Sequence, residues 1–115
     1  MRVQHWNEAE VEQMNPLTAR QVIHTENMTM ARLILKKGAV VPEHHHINEQ
    51  ISTVLEGSLI FHIEGKDVLL KAGDSLVIQP NVPHGVSVPE DCLVFDLFAP
   101  PREDWKRGDD SYLRR

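Results

Sequence analysis

The stretch that decides the fold is residues 38–57, which read GAVVPEHHHINEQISTVLEG. It contains a run of three histidines, His44, His45 and His46. Side chains of an extended strand alternate between its two faces, so His44 and His46 project to one face and His45 to the other. Gln50 comes four residues after His46 with the same parity, and its amide oxygen could supply a third ligand. The pattern predicts a metal chelate on one face of a strand.

A fourth ligand has to come from elsewhere in the chain, and His84 is the best candidate. It follows a Pro-Asn-Val-Pro turn and begins another apolar run, where a neighbouring strand can bring it close to the triplet. Glu49 competes with Gln50, but an adjacent strand residue points to the other face, which favours Gln50. On these residues alone, a solvated histidine loop is an equally good interpretation of the triplet. A site built from these side chains would suit one divalent ion of zinc, nickel, iron, manganese or cobalt.

Short β-type runs continue from residue 20 to residue 98, each bounded by a turn signal such as Glu56-Gly57. The gaps between the runs are only a few residues long, which is typical of antiparallel hairpins. No long helical period separates them, so the pattern predicts an all-β sandwich or barrel of the jelly-roll kind. The runs are RQVIHT, MTMARLILK, EQISTVLE, SLIFHIE, KDVLLK, SLVIQP, HGVSV and CLVFDLF.

The length of the chain limits it to one domain. A chain of 115 residues can bury one apolar core and is too short for two ordinary domains. We therefore expect a single domain over residues 1–115, with its barrel at about 20–98. Residues 1–18 are expected to form an N-terminal arm, and residues 99–115 a short helical or irregular C-terminal tail.

The composition excludes several classes of protein. Charged residues make up 25% of the chain and hydrophobic residues 41%, as in an ordinary globular domain. The formal net charge is −5 and no stretch concentrates Lys and Arg, which argues against nucleic acid as a partner. No apolar stretch approaches the roughly 20 residues of a membrane span, so we expect a cytoplasmic protein with no membrane partner. An arm from a second subunit could cover the exposed edge strands of a small barrel, and we expect a homodimer.

The spacing of the histidine stretch resembles the first motif of the cupin family. That motif spaces a glycine, a His-x-His pair, a glutamate and a second glycine as Gly38, His44, His46, Gln50 and Gly57 are spaced here. The one departure is Gln in place of Glu. The resemblance implies a cupin (jelly-roll) β-barrel that holds one divalent metal ion in a ligand shell without negative charge. Such a shell leaves the ion its full positive charge, which would attract an anionic substrate.

The second cupin motif is looser. Gly73, Asp74 and His84 are spaced as in the family, and the metal-binding histidine is kept. Three residues stand where Pro, Gly and Asn are usual: Gln79, Asn81 and Val88. The resemblance covers roughly residues 20–98 and implies that His44, His46, Gln50 and His84 are the metal ligands.

The C-terminal strand carries one acid on an apolar face. In the run VFDLF, Asp96 shares a face with Val94 and Phe98. An Asp among apolar neighbours costs free energy unless it is paired or functional, and Arg102 is available as a partner after the Pro100-Pro101 turn. Composition alone favours a structural Asp or a solvated edge, with Arg102 on a charged helical turn beside Glu103 and Asp104.

The segment LVFDLFAPPREDWKRGDDSYL, residues 93–113, resembles the end of the KdgF-type cupins. In that group a strand Asp, a Phe two residues on and an Arg after a Pro turn face the metal pocket, and here these are Asp96, Phe98 and Arg102. The group also has Gln in place of the Glu ligand. KdgF-type proteins open the ring of 4,5-unsaturated monouronates from pectin or alginate breakdown. The resemblance implies a small anionic, carbohydrate-derived substrate whose carboxylate meets the metal and Arg102, while Asp96 moves a proton and Phe98 walls the pocket.

Other functions are compatible with the same motifs, because cupin barrels carry many chemistries. One is a metal-dependent dioxygenase, or another isomerase or lyase of a small acid or sugar. Another is a non-catalytic sugar-binding or acid-binding cupin. A pure interaction module leaves the His and Gln spacing unexplained. We expect Trp6, Trp105 and Tyr112 to anchor the terminal segments, and His5, His24 and His62 to be structural or surface residues.

Overall fold

The computed structural model describes all 115 residues and contains ten β-strands and two short helices. The strands are β1 (Glu12–Asn15), β2 (Thr18–His24), β3 (Thr29–Leu35), β4 (Val40–His44), β5 (Glu49–Glu56), β6 (Ser58–Ile63), β7 (Lys66–Lys71), β8 (Ser75–Ile78), β9 (His84–Ser87) and β10 (Cys92–Ala99). The helices are α1 (Glu103–Lys106) and a 3₁₀ turn (Ser111–Leu113). Neither helix has the length or the apolarity that crossing a membrane requires.

The strands form two antiparallel sheets. One has six strands in the order β1-β2-β3-β10-β5-β8, and the other has four in the order β4-β9-β6-β7. Inward residues of both sheets, among them Val54, Phe61 and Val94, form one hydrophobic cluster that holds the sheets face to face. The predicted all-β jelly-roll class is confirmed. Each of the eight predicted runs coincides with a strand, and the bounds of β5 and β7 match the prediction to the residue.

The N-terminal segment takes part in the larger sheet. We expected residues 1–18 to be an arm, but residues 12–15 form β1, which pairs with β2 of the same chain. Before β1, the Trp6 ring packs against Phe95, with ring centroids 5.3 Å apart. Gln21 donates hydrogen bonds to the Trp6 and Ala9 carbonyls. One aromatic contact and the hydrogen bonds of Gln21 therefore hold the residues before β1 against the sheet.

The C-terminal tail docks on the larger sheet beside the barrel opening. A second hydrophobic cluster joins the tail to the strands through Met14, Ala31, Phe98, Trp105 and Leu113. A buried ion pair between Arg20 of β2 and Asp110 fixes the segment between the two helices. As expected, the tail is short and partly helical, and Gly108 follows α1 with a positive φ of 82°, a conformation that glycine adopts without strain.

Candidate active site

Two of the predicted ligands lie on paired strands. His44 ends β4 and His84 begins β9, and the two residues are direct cross-strand partners in the antiparallel register. Their rings lie 4.3 Å apart. The expectation that His46 continues the same strand was wrong, because β4 ends at His44 and the chain bends at residues 47 and 48 before β5 begins. His46 nevertheless reaches the cluster, with its ring 5.2 Å from His84.

All three histidines are oriented by backbone carbonyls. Nδ1 lies 2.8 Å from the Pro42 oxygen in His44, 3.1 Å from the Asn48 oxygen in His46 and 2.8 Å from the Val82 oxygen in His84. A carbonyl oxygen only accepts, so each Nδ1 must carry the proton and donate it. A neutral imidazole has a single N–H, and each Nε2 is therefore left with a free lone pair.

Burial keeps these imidazoles neutral. Desolvation lowers the pKa of His44 to about 4, aided by the neighbouring His84 and His46. It also lowers the pKa of His46 to about 4, with the Arg102 charge acting in the same direction. The pKa of His84 is lowered by the same burial and by Arg102. At neutral pH the three side chains are therefore uncharged bases, the form that binds a metal.

Gln50 is held so that its oxygen faces the histidines. On β5, its side-chain nitrogen donates to Ser52 Oγ over 2.9 Å, which directs Oε1 toward His46. Oε1 lies 3.0 Å from His46 Nε2. Since Nδ1 of that ring carries the proton, the 3.0 Å contact brings two lone pairs together. Such a contact is unfavourable unless a cation lies between the two atoms.

The cluster fits a bound metal ion in two further respects. The imidazole nitrogens of His44, His46 and His84 lie within 4.8 Å of one another. His84 is 1% exposed, and its Nε2 is buried without any hydrogen-bond partner. An orphaned buried acceptor costs free energy, whereas a metal ligand satisfies it. Three imidazole nitrogens and one amide oxygen suit a divalent transition metal. Glu49, the competing ligand, is exposed and points away from the cluster.

Asp96 lies in the middle of β10, opposite Ser52 of β5. It is 6% exposed, and its Oδ1 accepts a 2.5 Å hydrogen bond from Ser52 Oγ. Desolvation raises the pKa of Asp96 to about 6, although the Ser52 hydrogen bond and the Arg102 charge both act to lower it. A carboxyl group with a pKa this close to neutrality can both take up and release a proton.

Asp96 and Arg102 do not form an ion pair, although the sequence made Arg102 available as a partner. The Arg102 guanidinium binds Asp104 instead, with Nε 3.0 Å from Oδ1 and Nη2 2.8 Å from Oδ2. The guanidinium carbon, Cζ, lies 4.6 Å from the Phe98 ring centre and 4.4 Å from the Trp105 ring centre. Asp104 is only two residues further along the chain and reaches Arg102 on the same turn, whereas Asp96 already bonds to Ser52. Arg102 acts on Asp96 only through its charge.

Tyr112 packs in the cluster that anchors the tail, as expected, and its side chain also lines the pocket. Its ring stacks on the His44 ring at 4.4 Å with an interplanar angle of 27°. Its oxygen accepts a 2.8 Å hydrogen bond from Arg102. No motif in the sequence indicates this role, because Tyr112 lies beyond the last strand and reaches His44 only through the packing of the tail.

Asn48 is a second residue that the sequence pattern did not single out. Its backbone oxygen accepts from His46, and its side-chain nitrogen donates to the Pro100 and Pro101 oxygens at 2.5 and 3.2 Å. It is 2% exposed. Asn48 therefore ties the loop of one predicted ligand to the turn that precedes Arg102.

Most of these side chains, though not His46 or Asn48, line one pocket inside the barrel. Seventeen residues surround it and eleven of them are hydrophobic. The polar and charged lining residues include His44, Gln50, His84, Asp96 and Arg102. Phe98, Trp105 and Tyr112 supply aromatic walls. The pocket combines neutral metal-binding groups, one buried acid and one cation within a mostly apolar wall, which suits a small polar ligand.

Comparison with known families gives a match that covers both motifs. Residues 31–98 match the family model described as the cupin domain. The pectin degradation protein KdgF of Dickeya dadantii (strain 3937) is 36% identical over 83 residues, which span 70% of this chain and 76% of that protein. The oxalate-binding protein of Thermotoga maritima is 35% identical over 75 residues, or 64% of this chain and 62% of that protein.

A solved structure supports the same relationship. The structure of KdgF from Halomonas sp. superposes with a TM-score of 0.83 at 29% sequence identity. The superposition covers 90% of this chain and 99% of that one. The likeness therefore extends over most of the chain.

Proposed function

This chain belongs to the cupin family, and we propose that it is a metal-dependent enzyme that opens the ring of 4,5-unsaturated monouronates. The product is the linear 5-keto-4-deoxyuronate, an isomer of the substrate. The metal ligands are His44, His46, Gln50 and His84. Asp96, Phe98 and Arg102 complete the site. Similarity to two KdgF proteins, one of them a pectin degradation protein, supports the choice of substrate class.

The observation that carries the proposal is the shared pocket. Asp96 and Arg102 line the same cavity as His44, Gln50 and His84, although they come from a different strand and from the tail. A metal-binding barrel alone does not require a buried acid on its inner wall. The acid costs free energy where it lies, which supports a chemical role for it.

The reaction needs one proton to change place. The proton of the anomeric hydroxyl leaves, the bond from C1 to the ring oxygen breaks, and the ring oxygen becomes the enol oxygen at C5. A proton then adds at C4, and the enol becomes the ketone. No water is consumed, so the enzyme has to hold the substrate and move a proton between an oxygen and a carbon.

Asp96 is the group that carries this proton in the proposal. Its Oδ1 accepts a hydrogen bond from the Ser52 hydroxyl, and the Gln50 side chain also stabilises the carboxylate. Ser52 also binds Gln50, so the acid is held at a fixed place next to the proposed metal ligands.

The remaining groups bind and orient the substrate. When bound, a divalent ion supplies a Lewis acid that stabilises negative charge on a substrate oxygen. Arg102 provides a positive charge for the uronate carboxylate, and the aromatic walls of the pocket exclude water. Phe98 supports Arg102 and faces the His46 ring at 5.6 Å.

The substitution Asp96→Asn tests the proposal. It keeps the size and the hydrogen bond to Ser52 but removes the proton carrier, so ring opening, followed as the loss of enol-ether ultraviolet absorbance, should be abolished. Metal content should stay unchanged. Asp67→Asn is the control, because Asp67 is an exposed acid on β7. Turnover by Asp96→Asn at the rate of the unaltered protein would contradict the role of Asp96.

A second candidate function is binding of a small carboxylic acid without turnover. It is favoured by the similarity to the oxalate-binding protein of Thermotoga maritima. Calorimetric titration of metal-loaded protein with oxalate distinguishes the two functions. Tight oxalate binding together with no change in the unsaturated uronate would favour this second function over the first.

A further inference from the structure

The hydroxyl hydrogen of Tyr112 has no acceptor within the protein. Two groups contact its oxygen, Arg102 Nη2 at 2.8 Å and Trp105 Nε1 at 3.3 Å. Arginine and tryptophan side chains can only donate, so the phenol oxygen accepts both hydrogen bonds. Both of its acceptor sites are then filled. The O–H of Tyr112 can act only as a donor, and none of the protein's hydrogen bonds provides an acceptor for it.

Arg102 also has an unused donor next to this hydroxyl. Its bonds to Asp104 and Tyr112 engage Nε and Nη2, and no hydrogen bond of the protein engages Nη1. Arg102 is 1% exposed and lines the pocket, so a ligand can reach Nη1 only from inside that pocket. Since Nη1 and Nη2 share one carbon atom, the free donors of Arg102 and Tyr112 lie side by side.

Both side chains are rigidly placed on the wall of the pocket. The guanidinium lies against the Phe98 and Trp105 rings, and Asp104 holds it on a third side. The Tyr112 ring is stacked on His44. Neither donor has to be ordered when a ligand binds, which lowers the entropic cost of binding.

We propose that Tyr112 and Arg102 together form a two-point receptor for one carboxylate of the bound acid. The Tyr112 O–H donates to one carboxylate oxygen, and Arg102 Nη1 donates to the other. A carboxylate fits this pair because it offers two adjacent acceptor oxygens and a negative charge. Tyr112 thus becomes a ligand-binding residue at the end of the tail. The inference deepens the proposed function and rests on it for the identity of the acid.

The composition of the chain offers a direct probe, because Tyr112 is its only tyrosine. Protein made with 3-fluorotyrosine carries a single fluorine atom beside this hydroxyl, and its ¹⁹F NMR spectrum has one signal. Saturated galacturonate is the ligand of choice, because it has the carboxylate and cannot form the enol. Its addition to the metal-loaded protein should shift the signal in a saturable way. A signal that stays in place while calorimetry detects galacturonate binding would overturn the receptor.

The substitution Tyr112→Phe gives a quantitative test. It keeps the ring on His44 and removes the hydroxyl, so the dissociation constant for galacturonate should rise by about 10-fold or more, as expected for a lost hydrogen bond to a charged group. Metal affinity should stay within about two-fold. Ser111→Ala is the control, since Ser111 is the exposed neighbour in the same 3₁₀ turn. A hydroxyl that only anchors the tail would lower the melting temperature and leave galacturonate affinity unchanged, which would overturn the proposal.

The two proposals fail in different ways. If the ¹⁹F signal shifts with galacturonate and the unsaturated uronate is not turned over, the receptor stands and ring opening is wrong. If ring opening proceeds and Tyr112→Phe has the KM of the unaltered protein, ring opening stands and the receptor is wrong.

Discussion

The two sides of the pocket are built in different ways. The histidine side is held by backbone carbonyls two residues from each ring, so each ligand is oriented by its own stretch of chain. The Arg102 side is held by other side chains, namely Asp104, Tyr112 and the two aromatic rings. The first side depends on strand register and spacing. The second depends on how an irregular tail packs. Substitutions on the histidine side should therefore weaken metal binding, and substitutions on the Arg102 side should weaken substrate binding, each without the other.

The largest effect is expected on the histidine side. His84→Ala removes a buried side chain that we propose as a metal ligand, so metal affinity should fall by more than about 100-fold. That loss exceeds the one expected for a residue that only orients a ligand. Titration of metal-free protein with zinc measures the change, and His84→Gln, which keeps more of the side-chain volume, should behave in the same way.

The control is His62→Ala, which removes an exposed histidine that bonds to Asp67 and Ser87. Its metal affinity should equal that of the unaltered protein. Equal zinc affinity in the His84 variants would show that the cluster is not the metal centre.

The next effect is expected on the Arg102 side and should leave the metal in place. Arg102→Ala removes the proposed contact with the substrate carboxylate. Because that contact would be present in both the ground and transition states, KM should rise by about 10- to 100-fold with little change in kcat. Arg102→Lys keeps the charge without the planar fork and should have a smaller effect. Steady-state ring-opening kinetics and elemental analysis measure the two quantities.

Arg107→Ala is the matched control, because Arg107 is an exposed arginine on the same tail. A loss of bound metal in Arg102→Ala would show that the two sides are one cooperative unit, contrary to the comparison.

The smallest effect is expected at the residue that joins the two sides. Asn48→Ala leaves the buried Pro101 carbonyl oxygen and the part-buried Pro100 carbonyl oxygen without their donor, which should lower the free energy of unfolding by about 1–3 kcal/mol. Denaturant unfolding measures it, with the exposed Asn27→Ala as control. Unlike the substitutions above, this one should weaken both metal and galacturonate binding modestly. If only metal binding or only galacturonate binding were weakened, Asn48 would not connect the two sides of the pocket.

The same difference explains how much the sequence could predict. Strand alternation and turn spacing are local properties, so the runs from residue 20 onward predicted eight strands. The approach of His84 to His44 followed from the motif, because paired strands place both residues in one register. β1 was missed because its residues, Glu12 to Asn15, are mostly polar and lack an alternating apolar pattern.

The tail could be predicted only in part. The resemblance predicted that Asp96, Phe98 and Arg102 face the pocket, but it did not predict which side chains form hydrogen bonds with Asp96 and Arg102. Arg102 pairs with Asp104 and not with Asp96 because Asp104 lies two residues further along the same turn, and this depends on side-chain geometry. The approach of Tyr112 to His44 spans most of the chain and follows from the packing of Leu113 and Trp105 in the second hydrophobic cluster.

The most direct test of ring opening is ¹H NMR of metal-loaded protein with 4,5-unsaturated galacturonate in D₂O. The account predicts that the signal of the olefinic C4 proton disappears faster than in buffer alone, that a linear 5-keto product forms, and that one deuteron enters at C4. It also predicts no such change with Asp96→Asn. An olefinic signal that decays at the buffer rate in the presence of fully metal-loaded protein would contradict the account.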